Sequence, residues 1–339
     1  MRLRLATVGI LLSAAACTAP AADSNAPSDT IRFTIPTGAG FGQVTDTLVA
    51  HELVRLPTLF RGFARLRGDD TAVRAGRYEV PADIGWGALL DHLVAGRVVT
   101  EPMTIPEGFT LRQIASRVAR FAEADTASVY RELLADDAHE TWGVPGPGLE
   151  GYLFPDTYLF APGVSVDRIV QTLVDRYHSL WTDERRARAA STGMSEREVA
   201  TLASIVQAEA LHTSEMPTIA GVFLNRLRIG MPLQADPTVQ YALGERRSRL
   251  LYADIDSVAD DPYNTYTWPG LPPGPIGSPG QDAIEAVLNP AEVPYLYFVA
   301  RPDGSHIFTS SLDEHNRARV EARREWNAAE RRAQQDRQE

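Results

Sequence analysis

The chain has 339 residues, 44% of them hydrophobic and 23% charged, with a net charge of −11. This is a globular composition long enough for about two domains, and its acidity argues against a nucleic-acid partner, which would need basic surface. All 33 basic Lys/Arg positions are arginine, so no lysine is present to form a pyridoxal phosphate Schiff base, and the single cysteine permits neither an internal disulfide nor a thiolate metal cage.

The N-terminus begins with the basic stretch Met1-Arg2-Leu3-Arg4, followed by a mostly apolar run over residues 5–16. A bilayer span needs roughly 20 such residues. Ala14-Ala15-Ala16-Cys17 has the form of a lipoprotein cleavage site, with Cys17 as the lipid attachment candidate. Residues 1–17 therefore read as a signal, lipoprotein or anchor segment. Residues 18–29, rich in Ala, Pro, Ser and Asp, read as a flexible tether. An uncleaved anchor extending to Ala22 is the alternative. Either way the expected location is the cell (inner) membrane, with the rest of the chain exported to its outer, periplasmic or wall side.

A repeat follows. FTIPTG (33–38) recurs as MTIPEG (103–108), and each copy leads into apolar residues at helical spacing: Val44, Leu48 and Val49, then Leu111, Ile114 and Val118. Residues 74–80 read as a strand that returns to close the first unit, and residues 88–94 as a further helix. Residues 30–100 are thus expected to form a small α/β module. Residues 101–190 read as mainly helical, with a linker-like Gly/Pro run at 143–148.

The most informative segment begins at Ser195. Ser195 and Glu198 have the spacing of a capping box. Leu202, Ile205 and Val206 lie seven, four and three residues before Glu209, so Glu209 shares their apolar face. Burial there raises the pKa of a carboxyl group, and a carboxyl still protonated near neutrality can donate a proton to a leaving oxygen. The competing reading is a structural ion pair with Arg226 or Arg228.

The next helix carries Ile219, Val222, Phe223 and Leu227 and is expected to end at Gly230. Asn225 on it, and Gln234, Thr238, Tyr263 and Asn264 beyond it, offer amide and hydroxyl groups of the kind that bind polar substrates. Tyr241, Tyr266 and Trp268 offer flat apolar faces on which a substrate ring can stack, or pack as ordinary core aromatics. Asp236, just before Pro237, is a candidate substrate contact, but its spacing favours a helix cap. Residues 269–280 form a stiff Pro/Gly-rich loop, either a cleft rim or a connector. Residues 294–300 and 306–309, flanking Arg301-Pro302-Asp303-Gly304, read as a β-hairpin. Residues 191–316 are expected to hold the catalytic core, and residues 317–339 a charged C-terminal helix or tail. The seven histidines are scattered with no HExxH pair, so no metal site is expected; His212, three residues after Glu209, is the one of interest.

The strings LASIVQAEA, FLNRLRIGMPLQADPTVQYALG, YNTY, GLPPGPI and PYLYFVA, with LEGYLFPDTY earlier, resemble the endolytic murein transglycosylase family over roughly residues 31–316. The resemblance implies an α+β fold: a LysM-like module over residues 30–100, with glycan binding as its implied role, then a mixed helical and β-hairpin catalytic domain. It implies that Glu209 is the catalytic acid and base, with no cofactor. Gln207 departs from the Glu often found there in the family, and a cleaved lipoprotein would depart from the family's usual uncleaved anchor. The implied reaction is lytic cleavage of MurNAc-β-1,4-GlcNAc bonds within glycan strands, leaving 1,6-anhydro-MurNAc ends. Asp236 and Glu150 remain candidates for a second carboxylate. The implied partners are peptidoglycan strands and, by analogy, wall-synthesis enzymes. A hydrolase of the muramidase type and a catalytically silent glycan-binding scaffold are the alternatives.

Overall fold

A computed structural model of the chain describes residues 29–247 and 250–335. Cys17, and the lipoprotein or anchor reading with it, lies outside the described residues. Among the described residues, no helix is long and apolar enough to cross a membrane. The chain divides into two compact units, one ending at Val98 and one beginning at Val99.

The first unit runs β1 (Thr30–Ile35), α1 (Phe41–Ala50), α2 (Pro57–Arg67), β2 (Gly76–Pro81), α3 (Trp86–Ala95). β1 and β2 pair antiparallel, from Thr30 opposite Pro81 to Ile35 opposite Gly76. Alternation turns Phe33 and Ile35 of β1, and Tyr78 and Val80 of β2, onto one face. Two strands alone are marginal in water. Here that face is covered by Val44 and Leu48 of α1, Phe60 of α2 and Leu89, Leu90 and Leu93 of α3. The buried Tyr78 hydroxyl donates to the Arg74 carbonyl at 2.6 Å, which satisfies its polar tip.

The second unit begins with β3 (Glu101–Thr104), α4 (Leu111–Phe121), α5 (Thr126–Leu134), α6 (Ala138–Trp142) and β4 (Thr157–Phe160). β3 pairs antiparallel with β4, so the second copy of the sequence repeat closes on a strand more than fifty residues away. Then come α7 (Val166–Leu180), α8 (Asp183–Thr192), α9 (Glu196–Glu209), α10 (Met216–Arg228), α11 (Asp236–Leu243), α12 (Tyr252–Ser257) and α13 (Gln281–Leu288). A hairpin of β5 (Tyr297–Ala300) and β6 (His306–Thr309) and a long helix, α14 (Leu312–Gln335), complete it. The architecture is α+β: helices with, among the described residues, three separate two-stranded antiparallel sheets.

One apolar core runs through this unit from Met103 to Leu288. α9 threads it, every residue from Val199 to Val206 being buried. Its start is fixed by the capping box: the Glu198 carboxylate accepts from the Ser195 N–H at 2.8 Å, and the Ser195 hydroxyl accepts from the Glu198 N–H at 3.3 Å. α10 lies close to the segment leading into the hairpin. A Cβ on Gly221 would stand 2.5 Å from the Ala291 carbonyl oxygen, so only glycine permits that approach. The Asn225 amide donates to the carbonyls of Val293 at 2.7 Å and Tyr295 at 3.0 Å, zipping the same segment to α10. The charged C-terminal helix is docked rather than free. Ala318 and Ala322 are buried, and the Trp326 indole donates to the Ala300 carbonyl at 3.1 Å.

Candidate active site

α9 delivers Glu209 to the wall of a cleft of about 430 Å³. The other walls come from Arg226 of α10, Gln234 and Asp236 before and at the start of α11, Tyr266, the β5–β6 hairpin and the first turns of α14. Glu209 is packed on most sides yet keeps a solvent-facing edge. Among the described residues, nothing hydrogen-bonds to its carboxyl. Burial, then the negative charge of Asp236, pushes its pKa up to about 8, with the Arg226 charge opposing. Glu209 is therefore a carboxylic acid at neutral pH, with its proton available to a ligand.

The structural ion-pair reading does not hold. Arg226 spends its guanidinium on backbone carbonyls, donating to Leu296 at 2.6 Å and to Leu233, and lies over the Tyr297 ring at 5.6 Å. Arg228 donates to the Asn225 side chain at 2.9 Å. Asp236 is not a cap either: Ala235 occupies the cap position, and the Asp236 carboxylate accepts the Tyr266 hydroxyl at 2.5 Å. The side chain is thus turned toward Glu209's surroundings rather than along its own helix.

The other expected site residues divide into two sets. Gln234 and Tyr266 line the cleft with Glu209 and Asp236. Gln234 has φ +46°, a left-handed conformation uncommon for a residue with a side chain. It is held by its N–H donating to the Thr265 carbonyl at 3.1 Å. Thr238, Asn264 and Asn225 support the walls instead. Thr238 is buried and bonds to the Ala235 carbonyl at 2.8 Å and the Thr265 hydroxyl at 2.9 Å. Asn264 is buried and donates to the carbonyls of Ile255 and Val258. Sugar-binding chemistry and loop-stapling chemistry use the same amides and hydroxyls, and residue type alone cannot separate them.

Tyr241 and Tyr263 meet each other, ring centroids 4.7 Å apart, and do not line this cleft. The Tyr241 hydroxyl donates to Glu150 at 3.1 Å, and the other Glu150 oxygen accepts from the Leu111 N–H at 2.8 Å, at the start of α4. Burial pushes Glu150 up to about 7 against those two hydrogen bonds. Gln207 faces away from the cleft, accepting from the Gly280 N–H at 3.0 Å. With Ser204, which accepts from the Ile276 N–H at 3.0 Å, it bolts the Pro/Gly loop to α9. Trp268 is half exposed, its indole donating to the Ala259 carbonyl. His212 is exposed outside the cleft, 2.9 Å from the Asp303 carbonyl.

A larger cavity of about 790 Å³ opens behind α9 and α10, between Met194, Leu224, Leu227 and Leu271. Its acidic group is Glu198, whose pKa is lowered by the Ser195 backbone and hydroxyl bonds, so it is a poor proton donor at neutral pH. The smaller cleft instead holds a carboxyl group raised to about 8. There the sequence reading missed Tyr297, His306, His315 and Arg319, and behind them Glu215, which bonds to His306. Strand alternation puts Tyr297 and His306 on opposite faces of the hairpin, so no single face of the strand pattern marked the wall they share. Among the described residues, no group of three His, Cys, Asp or Glu is arranged to hold a metal ion.

An α+β protein whose open polar and aromatic cleft holds a buried carboxyl group, unpaired among the described residues, has the outline of an enzyme. Residues 33–321 match the YceG-like family, and the chain belongs to it. It is 32% identical to the endolytic murein transglycosylase of Bacillus subtilis over 308 residues, 86% of this chain and 84% of that protein. It is 31% identical to the endolytic murein transglycosylase of Streptococcus pneumoniae over 316 residues, 84% of this chain but only 56% of that longer protein. A crystal structure of a YceG-like protein from Listeria monocytogenes aligns with a TM-score of 0.59 at 32% identity, covering 85% of this chain and 98% of that one.

Proposed function

We propose that this protein is a peptidoglycan lytic transglycosylase that cuts glycan strands internally, with Glu209 as its single general acid and base. The observation that carries this is the Glu209 carboxyl, in an open cleft, protonated at neutral pH and unbonded among the described residues. The names of the Bacillus and Streptococcus relatives support the substrate class.

In this reading Glu209 gives its proton to the departing GlcNAc oxygen as the bond to MurNAc C1 breaks. The MurNAc C6 hydroxyl then bonds to C1, and its proton returns to the Glu209 carboxylate. No water is consumed, and the product ends in 1,6-anhydro-MurNAc. An ordinary glycosidase needs a second carboxylate to activate water or attack the sugar. Here one carboxyl suffices because the nucleophile belongs to the substrate. Asp236 serves as a nearby fixed charge that keeps Glu209 protonated. Residues 191–316 act as the catalytic core, and the LysM-like module at residues 30–100 holds the glycan. The N-terminus tethers the protein to the membrane with the cleft facing the wall, within reach of wall-synthesis enzymes.

The test is incubation of the protein with purified peptidoglycan, beside Glu209→Gln, with products read by mass spectrometry. Internal fragments ending in 1,6-anhydro-MurNAc, absent with the variant, are expected. Reducing ends would make the protein a hydrolase, and binding without cleavage would make it a scaffold.

A further inference from the structure

Glu209 is followed by a short segment that grips the hairpin forming the opposite cleft wall. His212 bonds to the Asp303 carbonyl, and Leu211 packs where a Cβ on Gly304 would stand. Glu215, six residues after Glu209, makes the third contact: its two oxygens take the His306 backbone N–H at 3.1 Å and His306 Nδ1 at 2.8 Å. A carboxylate only accepts, so Nδ1 carries a proton, and in the neutral ring Nε2 is left as an acceptor. The His306 side chain is only 4% exposed, with Phe298 edge-on at 5.2 Å and Phe308 at 6.0 Å. Yet it lines the Glu209 cleft. Nε2 has no protein partner among the described residues, and it is not among the polar atoms sealed from solvent, unlike Nδ1 of the neighbouring His315. Nε2 is thus an unpaired acceptor on a residue of the cleft wall.

We propose that His306 is a substrate-contacting residue of this cleft, its Nε2 accepting a hydrogen bond from a sugar hydroxyl or acetamido N–H, and that Glu215 is the positioning residue that fixes its ring. The inference rests on the transglycosylase reading and adds a specificity-determining contact on the hairpin wall. Glu215 ties that contact to the chain segment leaving Glu209, so the acid and the acceptor are set by one loop. A ring locked at Nδ1 presents Nε2 in a single direction, and orientation of this kind is what a bound sugar needs for reaction.

Three substitutions separate contact from support. His306→Asn keeps an amide N–H for Glu215 but lacks an atom at the Nε2 position, whereas His306→Gln reaches that position with a polar group. His212→Ala loosens the hairpin turn outside the cleft. On uncross-linked glycan strands, His306→Asn is expected to lose roughly tenfold in kcat/KM, the effect of one hydrogen bond, at unchanged Tm. His306→Gln should recover most of the loss, and His212→Ala should stay near wild type. Wild-type kcat/KM for the Asn variant would overturn the proposal. So would Asn, Gln and His212→Ala declining together with Tm, since that pattern means support alone. A wild-type protein inert on glycan would instead sink the transglycosylase reading, an outcome distinct from an active wild type indifferent to His306.

Discussion

Two carboxyl groups of the second unit are lifted well above the ordinary Glu range by burial, Glu209 to about 8 and Glu150 to about 7. Around Glu150 the protein has answered the burial. One oxygen takes the Leu111 N–H at the start of α4, the other takes the Tyr241 hydroxyl, and the side chain is closed off. Around Glu209 it has not: no donor among the described residues reaches the carboxyl, and a negative charge stands near it. A raised pKa alone therefore does not mark an acid catalyst. What distinguishes the two is whether the proton faces a ligand or a protein partner already in place.

The comparison breaks most sharply at activity. Glu209→Gln removes the proton donor at constant shape and should lower the rate of glycan cleavage by about 10³-fold or more, within the range general acid catalysis supplies. Glu150→Gln keeps an acceptor for the Leu111 N–H, and its rate should stay within about tenfold of wild type. Release of soluble fragments from labelled peptidoglycan checks both. Equal losses would end the one-carboxylate mechanism.

Stability should reverse the ranking. Between pH 4.5 and about 8, an unfolded chain gives up the Glu209 proton while the folded chain holds it, so stability falls as pH rises through that window. Below it, both states are protonated and nothing is lost. Glu209→Gln removes this dependence. It should be more stable than wild type by roughly 2 kcal/mol near pH 7.5, with no gain near pH 4.5, allowing for the partial solvent access of the group. Glu150→Ala, in contrast, strands a backbone N–H and a tyrosine hydroxyl and should cost about 1–3 kcal/mol. Thermal melts at the two pH values separate these outcomes. Gly221→Ala should also cost about 1–3 kcal/mol, since α10 must move off the Ala291 carbonyl, and glycan cleavage should weaken as the hairpin wall shifts with it.

The division between Glu209 and Glu150 also shows which features the sequence made legible. α9 was readable from its capping box and apolar spacing, and both follow from local rules, so Glu209's face was predictable before any packing was known. The hairpin was readable because Arg301-Pro302-Asp303-Gly304 places glycine where φ is +83°. The β1–β2 pair was readable from the turn-then-helix repeat and the returning strand. The pairing of β3 with β4 was not, because its partner lies beyond three intervening helices. The same limit hid the site's second wall. His306 and Glu215 are separated by 91 residues, and the Asn225 amide meets a carbonyl 68 residues on. Thr238 and Asn264 spend their groups on nearby carbonyls, a use that leaves no mark in a residue string. At the C-terminus the charged helix was legible but its docking was not: His315 of α14 stacks on Tyr297 at 5.1 Å and Arg319 lines the cleft.

The smallest expected effect sharpens the account of Glu209 itself. If burial is the larger cause of its raised pKa and the Asp236 charge the second, removing that charge should leave an acid that titrates lower but still above an ordinary Glu. Asp236→Asn keeps an oxygen for the Tyr266 hydroxyl, so the wall should stay in place. Wild-type kcat/KM should be flat below about pH 8 and fall about tenfold per pH unit above it, because only the protonated enzyme can start the reaction. In Asp236→Asn the carboxylate of Glu209 meets less repulsion, so the same fall should begin at lower pH, by up to about one unit for a single partly solvated charge. An unmoved limb with an unchanged plateau would assign the shift to burial alone. A plateau lowered as far as in Glu209→Gln would instead make Asp236 a participant in bond cleavage, and the comparison with ordinary two-carboxylate glycosidases would have to be redrawn.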